Sequence, residues 1–340
     1  MASWKWLIAG LAAALAVGPA AAVASTLSAV RDRGELVCGV STGLAGFSLA
    51  DPQGHFSGLD VDTCRAVAAA VLGDAKKAKF IASSDEQRFT LLQSGAIDLL
   101  ARDTTWSLLR EAALGLVFAP VTYYDGQGFM VAKALGVTRA KQLNGASICV
   151  QPGTTTELNL ADWFRANHMH FRPVAIQQLD QVENAFFSGR CDAYTTDRSG
   201  LAATRASKAP HPEDYVILPE VISKEPLAPA VRQGDDEWFD IVRWTVFGLI
   251  AAEERGITSK NVDDMLKSDD PEVRRMLGVT PGLGKALHLD DRWLYNVIKQ
   301  VGNYGEIFDR NLGRESPLNL SRGLNALWTQ GGLMYAMPFR

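Results

Sequence analysis

Three short stretches of the chain hold side chains suited to gripping a small charged molecule. Asp103-Thr104-Thr105-Trp106-Ser107-Leu108-Leu109-Arg110-Glu111 gathers an acid, hydroxyls and a guanidinium. Arginine presents a planar fork that pairs both oxygens of a carboxylate, which makes Arg110 the candidate anion holder, with the Thr105 hydroxyl beside it. Gln151-Pro152-Gly153-Thr154-Thr155-Thr156-Glu157 places hydroxyls and free backbone N–H groups at a predicted helix start, where an anion docks readily. Thr195-Thr196-Asp197 supplies a carboxylate that suits an ammonium. Each stretch also fits an ordinary role. Arg110 and Glu111 read as a surface pair, Thr154 to Glu157 as a capping box, and Asp197 as the cap of a helix beginning at Arg198.

What these stretches do depends on the elements that place them. Apolar runs predict strands at 36–40, 79–82 and 97–101, and helices at 61–72 and 87–93, with Gly73 stopping the first helix. Asp60 and Asp62 stand at that helix start, where carboxylates offset exposed amides. The pattern then repeats, with strands at 147–150 and 171–175 and helices at 155–166 and 179–187. Leu91-Leu92-Gln93-Ser94-Gly95-Ala96-Ile97-Asp98 is echoed by Ala185-Phe186-Phe187-Ser188-Gly189-Arg190-Cys191-Asp192, an apolar helix end, a Ser-Gly stop and an Asp before a strand. Gly95 and Gly189 suit the positive φ of such an exit. Two similarly wound α/β lobes with mostly parallel sheets follow, and their ligands belong beyond the carboxyl ends of the strands, in a shared crevice.

Segments 121–128 and 215–230, rich in Gly and Pro, read as crossings between the lobes, so the first lobe is discontinuous and the crossings make a hinge. The expected organisation is a first lobe at 25–124, a second at 125–220, a return to the first at 221–256, and a helical extension at 257–340 packed on the first lobe. Helices are predicted in that extension at 261–266, 271–277, 290–301 and 321–328. One cation, one anion and two donor-rich turns at matching places in two lobes describe a receptor for a zwitterion.

Composition narrows the class. The 340 residues are 47% hydrophobic and 21% charged, enough for one large or two ordinary cores. Thirty-four basic against 38 acidic residues give a net charge of −4, with no positive field to gather nucleic acid. Lys5, an apolar run from Trp6 to Val17, the Gly18-Pro19 break and Ala22-Val23-Ala24 form a secretory signal at 1–24, cleaved after Ala24. The run is about a dozen residues, short of the roughly 20 that span a bilayer, so the mature chain is expected to be exported without membrane insertion. Its richest later window, 238–252, carries Asp240 and Arg243 and reads as a core helix. Export favours disulfides among Cys38, Cys64, Cys149 and Cys191. Three pairings are possible. Cys38 with Cys64 and Cys149 with Cys191 would close loops of a few dozen residues, each adding about 3 to 4 kcal/mol. The spacing is no zinc pattern.

Read together, the chain resembles the periplasmic amino-acid-binding proteins of ABC importers, solute-binding protein family 3, and within them the general L-amino-acid-binding branch. The resemblance runs over the mature chain. Its markers are Cys38-Gly39-Val40, Gly58-Leu59-Asp60-Val61-Asp62, Gln93-Ser94-Gly95-Ala96-Ile97-Asp98, Thr104-Thr105-Trp106 with Arg110, Tyr123-Tyr124-Asp125-Gly126-Gln127-Gly128, Gly153-Thr154-Thr155-Thr156-Glu157 and Gly189-Arg190-Cys191-Asp192-Ala193-Tyr194. Val301-Gly302-Asn303-Tyr304-Gly305-Glu306 and Gly323-Leu324-Asn325-Ala326-Leu327-Trp328 resemble the same branch's carboxyl extension.

The resemblance implies a two-lobed type II periplasmic binding protein fold and ligand-induced closure. It also implies an L-amino acid ligand of broad choice, a membrane permease as partner and a monomeric state, with no catalytic residue, metal or cofactor. Arg110 would clamp the ligand α-carboxylate with Thr105 and the Thr155 amide and hydroxyl, Thr154 and Thr196 standing beside them. Asp197 would hold the α-ammonium, Asp103 would be a second polar contact near it, and Arg88 would face the ligand side chain or else be a solvated helix charge. Where many relatives cover the ligand with an aromatic, this chain has Leu44, in Thr42-Gly43-Leu44-Ala45-Gly46-Phe47, which suits a roomy pocket with Phe47 packed below. Disulfides are expected within each lobe, since a bond across the crevice would oppose closure. Two rivals remain at this stage: a dehydratase-like periplasmic enzyme on the same scaffold, with Asp103 or Asp197 as acid or base, and a sensory binding protein without transport.

Overall fold

The computed structural model describes residues 25–340. The signal at 1–24 lies outside the described residues. Two five-stranded sheets organise the chain. The first runs Ala78–Ala82, Leu36–Val40, Leu99–Leu100, Ala230–Arg232, Leu116–Phe118 across its width. The second runs Arg172–Ala175, Ser147–Val150, Ala193–Asp197, Gln127–Ala132, Tyr215–Ile217.

The sheets are mixed where mostly parallel ones were expected. In the first, Leu36–Val40 is parallel to both neighbours, but Ala230–Arg232 runs antiparallel to both of its own. In the second, Ser147–Val150 has parallel partners and Gln127–Ala132 antiparallel ones. The reversed strand is the fourth in each sheet, and in each case it is the one that follows a crossing. A chain arriving from the opposite lobe enters at the carboxyl ends of the sheet, so it must run against the strands that point there. The two crossings, Tyr123–Asp125 and Glu225–Leu227, pair antiparallel with Asp125 opposite Glu225, which makes a short two-stranded hinge.

The repeated helix exit has a conformational basis. Gly95 and Gly189 take φ of 76° and 78°, the left-handed region that only glycine enters without strain. Cys38 is bonded to Cys64 and Cys149 to Cys191. The first bond ties a strand of the first sheet to helix Leu59–Leu72, and the second stays beside the second sheet, so neither crosses the cleft.

One apolar core joins the first sheet, helix Leu59–Leu72, helix Asp236–Glu254 and the helices near the carboxyl end, through Val67, Trp238, Leu249, Trp293, Ile298 and Phe308. The window at 238–252 is thus a core helix, as its charges suggested. Helix Leu59–Leu72 begins two residues earlier than expected, with Gly58 as its cap, and Asp60 and Asp62 fall in its first turn without bonding its amides. Asp62 instead accepts hydrogen bonds from Arg310 Nε at 2.9 Å, Asn311 Nδ2 at 2.7 Å and Arg65 at 3.1 Å, pinning the carboxyl-terminal helices to the first sheet's main helix. Two further differences concern this end of the chain. Region 321–328 forms one short 3-10 turn, Gly323–Asn325, with a second following at Trp328–Gln330, rather than an α-helix, and helix Tyr304–Asn311 was not anticipated. Its signal was present: Asn303 and Glu306 form a capping box at its start.

Candidate functional site

The carboxyl ends of the two sheets face each other across a cleft holding about 610 Å³ of unfilled space, part of it open to solvent. Arg88, Asp103, Thr105 and Arg110 line it from the first lobe, and Thr154, Thr155, Thr196 and Asp197 from the second. All eight residues expected from the sequence therefore border one cavity. The opposing walls touch: Gln151 Nε2 donates to Asp85 Oδ2 at 3.1 Å, and the Gln177 amide donates to Glu86.

The first-lobe wall is ionic. Arg102 donates to both oxygens of Asp85 at 2.9 and 3.2 Å, and Arg88 Nη1 reaches the same carboxylate at 2.9 Å. Arg88 is only 2% exposed, so it is no solvated helix charge. Burial pushes its guanidinium down to about 9, with Asp85 opposing that fall, and it stays charged at neutral pH. Arg102 also reaches Asp103 Oδ1 at 3.7 Å, so two carboxylates face the two guanidinium groups at this end of the cavity. Arg110 donates through Nη1 to the Thr105 carbonyl at 2.8 Å and lies over the Phe89 ring at 5.2 Å. It makes no ion pair among the described residues. Glu111, its neighbour in sequence, accepts the Trp106 indole N–H at 2.7 Å instead. Asp103 sits at φ 37°, donates its backbone N–H to Asp60 Oδ2 at 2.8 Å, and has a buried Oδ1 without a hydrogen-bond partner. Burial raises Asp103 to about 6, against the pull of Arg102. Asp60 rises to about 8 through burial and the nearby Asp103 charge.

The second-lobe wall is mostly neutral. Thr154 caps helix Thr155–Ala166 by accepting the Glu157 N–H at 3.1 Å, and Glu157 returns a bond to the Gly153 N–H at 2.9 Å. That part of the capping reading holds. The first-turn amides of Thr155 and Thr156 have no intrahelical acceptor, and both residues line the cleft. Asp197 is the last residue of strand Ala193–Asp197 rather than lying beyond it. Although helix Arg198–Ser207 starts at the next residue, Asp197 bonds none of its amides. Asp125 takes that role, accepting the Ser199 N–H at 3.1 Å together with the Ser199 hydroxyl. Asp197 Oδ1 is left buried with no hydrogen-bond partner. Burial and the negative charges of Asp125 and Glu225 hold its carboxyl far above the usual range, with Arg110 pulling the other way. An ammonium placed here would meet a carboxylate that nothing in the protein satisfies.

The same fold is found in known proteins. Residues 36–265 match the family of bacterial extracellular solute-binding proteins, family 3. The chain belongs to that family. This solute-binding protein is 56% identical over 331 residues to the general L-amino acid-binding periplasmic protein AapJ of Rhizobium johnstonii, covering 97% of each chain. It is 54% identical over 329 residues to the glutamate/glutamine/aspartate/asparagine-binding protein BztA of Rhodobacter capsulatus, covering 96% of each. An ABC transporter periplasmic binding protein from Brucella ovis, solved with glutathione bound, superposes with a TM-score of 0.91 at 54% identity, over 94% of this chain and 100% of that one. Family membership removes the dehydratase alternative, since the family binds solute and is not enzymatic.

Several cleft residues of this solute-binding protein escaped the sequence reading. Asp85, three residues before Arg88, had a visible signal in that spacing, and Arg102 adjoins Asp103. Glu225 had none. It is 1% exposed and accepts the Thr105 hydroxyl at 2.5 Å and the Thr155 hydroxyl at 2.8 Å. With those protons directed at Glu225, the two hydroxyls offer lone pairs to anything else in the cleft. Leu44 lines the cavity, and Phe47 is fully buried against Tyr123 with ring centroids 5.4 Å apart.

Proposed function

We propose that the cleft receives a free L-amino acid as its zwitterion and that the protein presents it to the permease of an ABC importer. Arg110 takes the α-carboxylate, aided by the Thr155 amide. Asp197 takes the α-ammonium, with the lone pairs of Thr105 and Thr155, Thr196 and Asp103 bordering the same charges, and Thr154 holds the helix start in place. The supporting observation is the placement of an ion-pair-free guanidinium and an unpartnered buried carboxylate on opposite walls of one cavity. Only the shut arrangement satisfies both ligand charges, so the ligand's differential affinity drives closure.

Breadth of choice rests on the other end of the cavity. Leu44 covers it with an aliphatic side chain, and Arg88 with Asp85 presents a charged surface to the ligand side chain. The relatives named for general L-amino-acid binding and for four acidic and amide amino acids point the same way. Glutathione, found in the Brucella ovis relative, carries an α-carboxylate and α-ammonium at its γ-glutamyl end, so the same clamp suits γ-glutamyl peptides. The mature protein is a periplasmic monomer starting at Ser25, with lobes at 25–124 plus 221–256 and at 125–220, and an extension at 257–340 that packs on the first lobe.

Calorimetric titration of residues 25–340 with the twenty amino acids and glutathione tests this reading. Comparable binding of glutamate, glutamine, leucine and histidine is expected. No binding at all would overturn the function, and one sole ligand would overturn the breadth.

A further inference from the structure

We infer that Glu225 is a positioning residue that sets the affinity of the cleft for every ligand by holding its two walls together from the hinge. The inference rests on the amino-acid reading above for its ligands, while the geometry is independent of it. Glu225 belongs to the returning crossing Glu225–Leu227, opposite Asp125 of the outgoing one. Its carboxylate is buried and takes four donors. Oε2 accepts from Thr105 of the first wall at 2.5 Å and Thr155 of the second at 2.8 Å, and Oε1 accepts from Asn159 Nδ2 at 2.7 Å and the Ser223 hydroxyl. Thr155 and Asn159 are four residues apart on helix Thr155–Ala166, hence on one face of it. Thr105 is fixed to the crossing itself, because the Trp106 N–H donates to the Pro226 carbonyl and the Ala228 N–H to the Thr104 carbonyl at 2.8 and 3.0 Å.

Glu225 is therefore anchored with the first wall and grips the second wall's helix through two side chains. Opening the lobes strips a buried carboxylate of two of its four donors, so the contact favours the shut arrangement before any ligand arrives. Affinity scales with the population of the binding-competent state, and a contact that sets this population changes all ligands by one factor. A residue touching the ligand side chain would change them unequally.

The test uses Glu225→Gln, which keeps the shape and loses the charge, and Asn159→Ala, which removes only one second-wall donor. Titration with glutamate, leucine and histidine is combined with small-angle scattering of the unliganded and ligand-saturated proteins. Glu225→Gln is expected to raise all three dissociation constants about tenfold or more in equal ratio. It should enlarge the radius of gyration of the unliganded protein and leave that of the saturated protein unchanged. Asn159→Ala should do the same to a smaller extent, and combining the two changes should give less than the product of their separate effects. Unchanged or improved affinity in Glu225→Gln, an altered ranking of the three amino acids, or an unliganded radius equal to wild type would overturn the inference. Should Glu225→Gln fail to fold, Asn159→Ala alone decides by the same readouts. Failure of the wild-type protein to bind any of the three would instead refute the functional reading, while the scattering comparison would still judge the hinge contact.

Discussion

The two walls of the cleft solve the burial of charge in opposite ways. On the first, Asp85 already satisfies Arg88 and Arg102, so the cost of burying those cations is offset within the lobe itself. On the second, Asp197 is half-buried and carries a buried oxygen that no protein donor reaches. A buried carboxylate oxygen without partners is costly, and on the proposed reading an incoming ammonium relieves that cost. The first wall is thus mostly paired, with only the buried Arg88 Nε and Asp103 Oδ1 left without hydrogen bonds among the described residues, and the second presents an unmet demand at Asp197. A ligand that meets both turns the demand into a force for closure.

Arg110 is where the first wall leaves something open, because its guanidinium is buried, makes one protein hydrogen bond and has no ion pair. Removing one partner of a buried charge pair costs about 2 to 5 kcal/mol. Arg110→Ala should therefore weaken amino-acid binding at least a hundredfold in titration, the largest effect expected. Its unliganded melting temperature should stay within about 3 °C of wild type; a collapse of the fold would make Arg110 structural and remove it from the clamp.

The contrast between the walls is sharpest in two matched substitutions. Asp197→Asn should raise the dissociation constant about thirtyfold or more, by the same pair-breaking argument, and should also stabilise the unliganded protein by replacing a carboxyl whose ionised form nothing in the protein satisfies. Asp85→Asn should destabilise it, because two buried guanidinium groups lose their counter-ion. Opposite shifts in melting temperature are the signature to look for in calorimetric scans. Shifts of the same sign would mean that the walls do not differ as described.

The pH dependence follows from the same contrast. Asp103 and Asp60 are raised from 3.8 to about 6 and about 8, so the folded state holds their protons more tightly than the unfolded chain. Their contribution to stability is complete below about 4 and is lost as pH rises through about 6 and then about 8. Asp85 is lowered, by Arg102 and Arg88 acting against its burial, so its contribution is present above 3.8 and disappears on acidification. Between pH 5 and 8.5 the unliganded protein should lose stability as pH rises. Asp60→Asn, which keeps an acceptor for the Asp103 N–H, should flatten that slope in denaturant titrations at several pH values, and an unchanged slope would assign it elsewhere.

How much of this was readable beforehand depends on how local the cause is. Strand Leu36–Val40 and helix Thr155–Ala166 follow from apolar runs and a Thr cap within a few residues. Arg110 and Asp197 were legible because a guanidinium and a carboxylate stand at matching positions of a repeated unit. Asp62 stands at the helix start as read, but its second role was missed because its partners, Arg310 and Asn311, lie far along the chain. Glu225 was invisible for the same reason: its donors come from Thr105, Thr155 and Asn159, and nothing around Pro226 announces a buried carboxylate. The reversed fourth strands were missed because alternation of helix and strand carries no record of which end of a sheet the chain enters.

The smallest expected effect concerns choice among ligands. Arg88 is held by Asp85, yet its Nε is buried without a partner, and Asp85 is shared with Arg102. The unpartnered Nε leaves Arg88 a donor for an acidic ligand side chain at this end of the cavity. Arg88→Gln should then weaken glutamate and aspartate by about three- to tenfold, as expected for one partly compensated charge pair, while leucine changes little. The ratio of glutamate to glutamine affinity should fall by the same factor, and added salt should have little effect on it because the pair is out of reach of bulk ions. Equal losses for leucine and glutamate would move Arg88 from selecting the ligand to supporting the wall, and the first lobe would then act on the backbone of the amino acid alone.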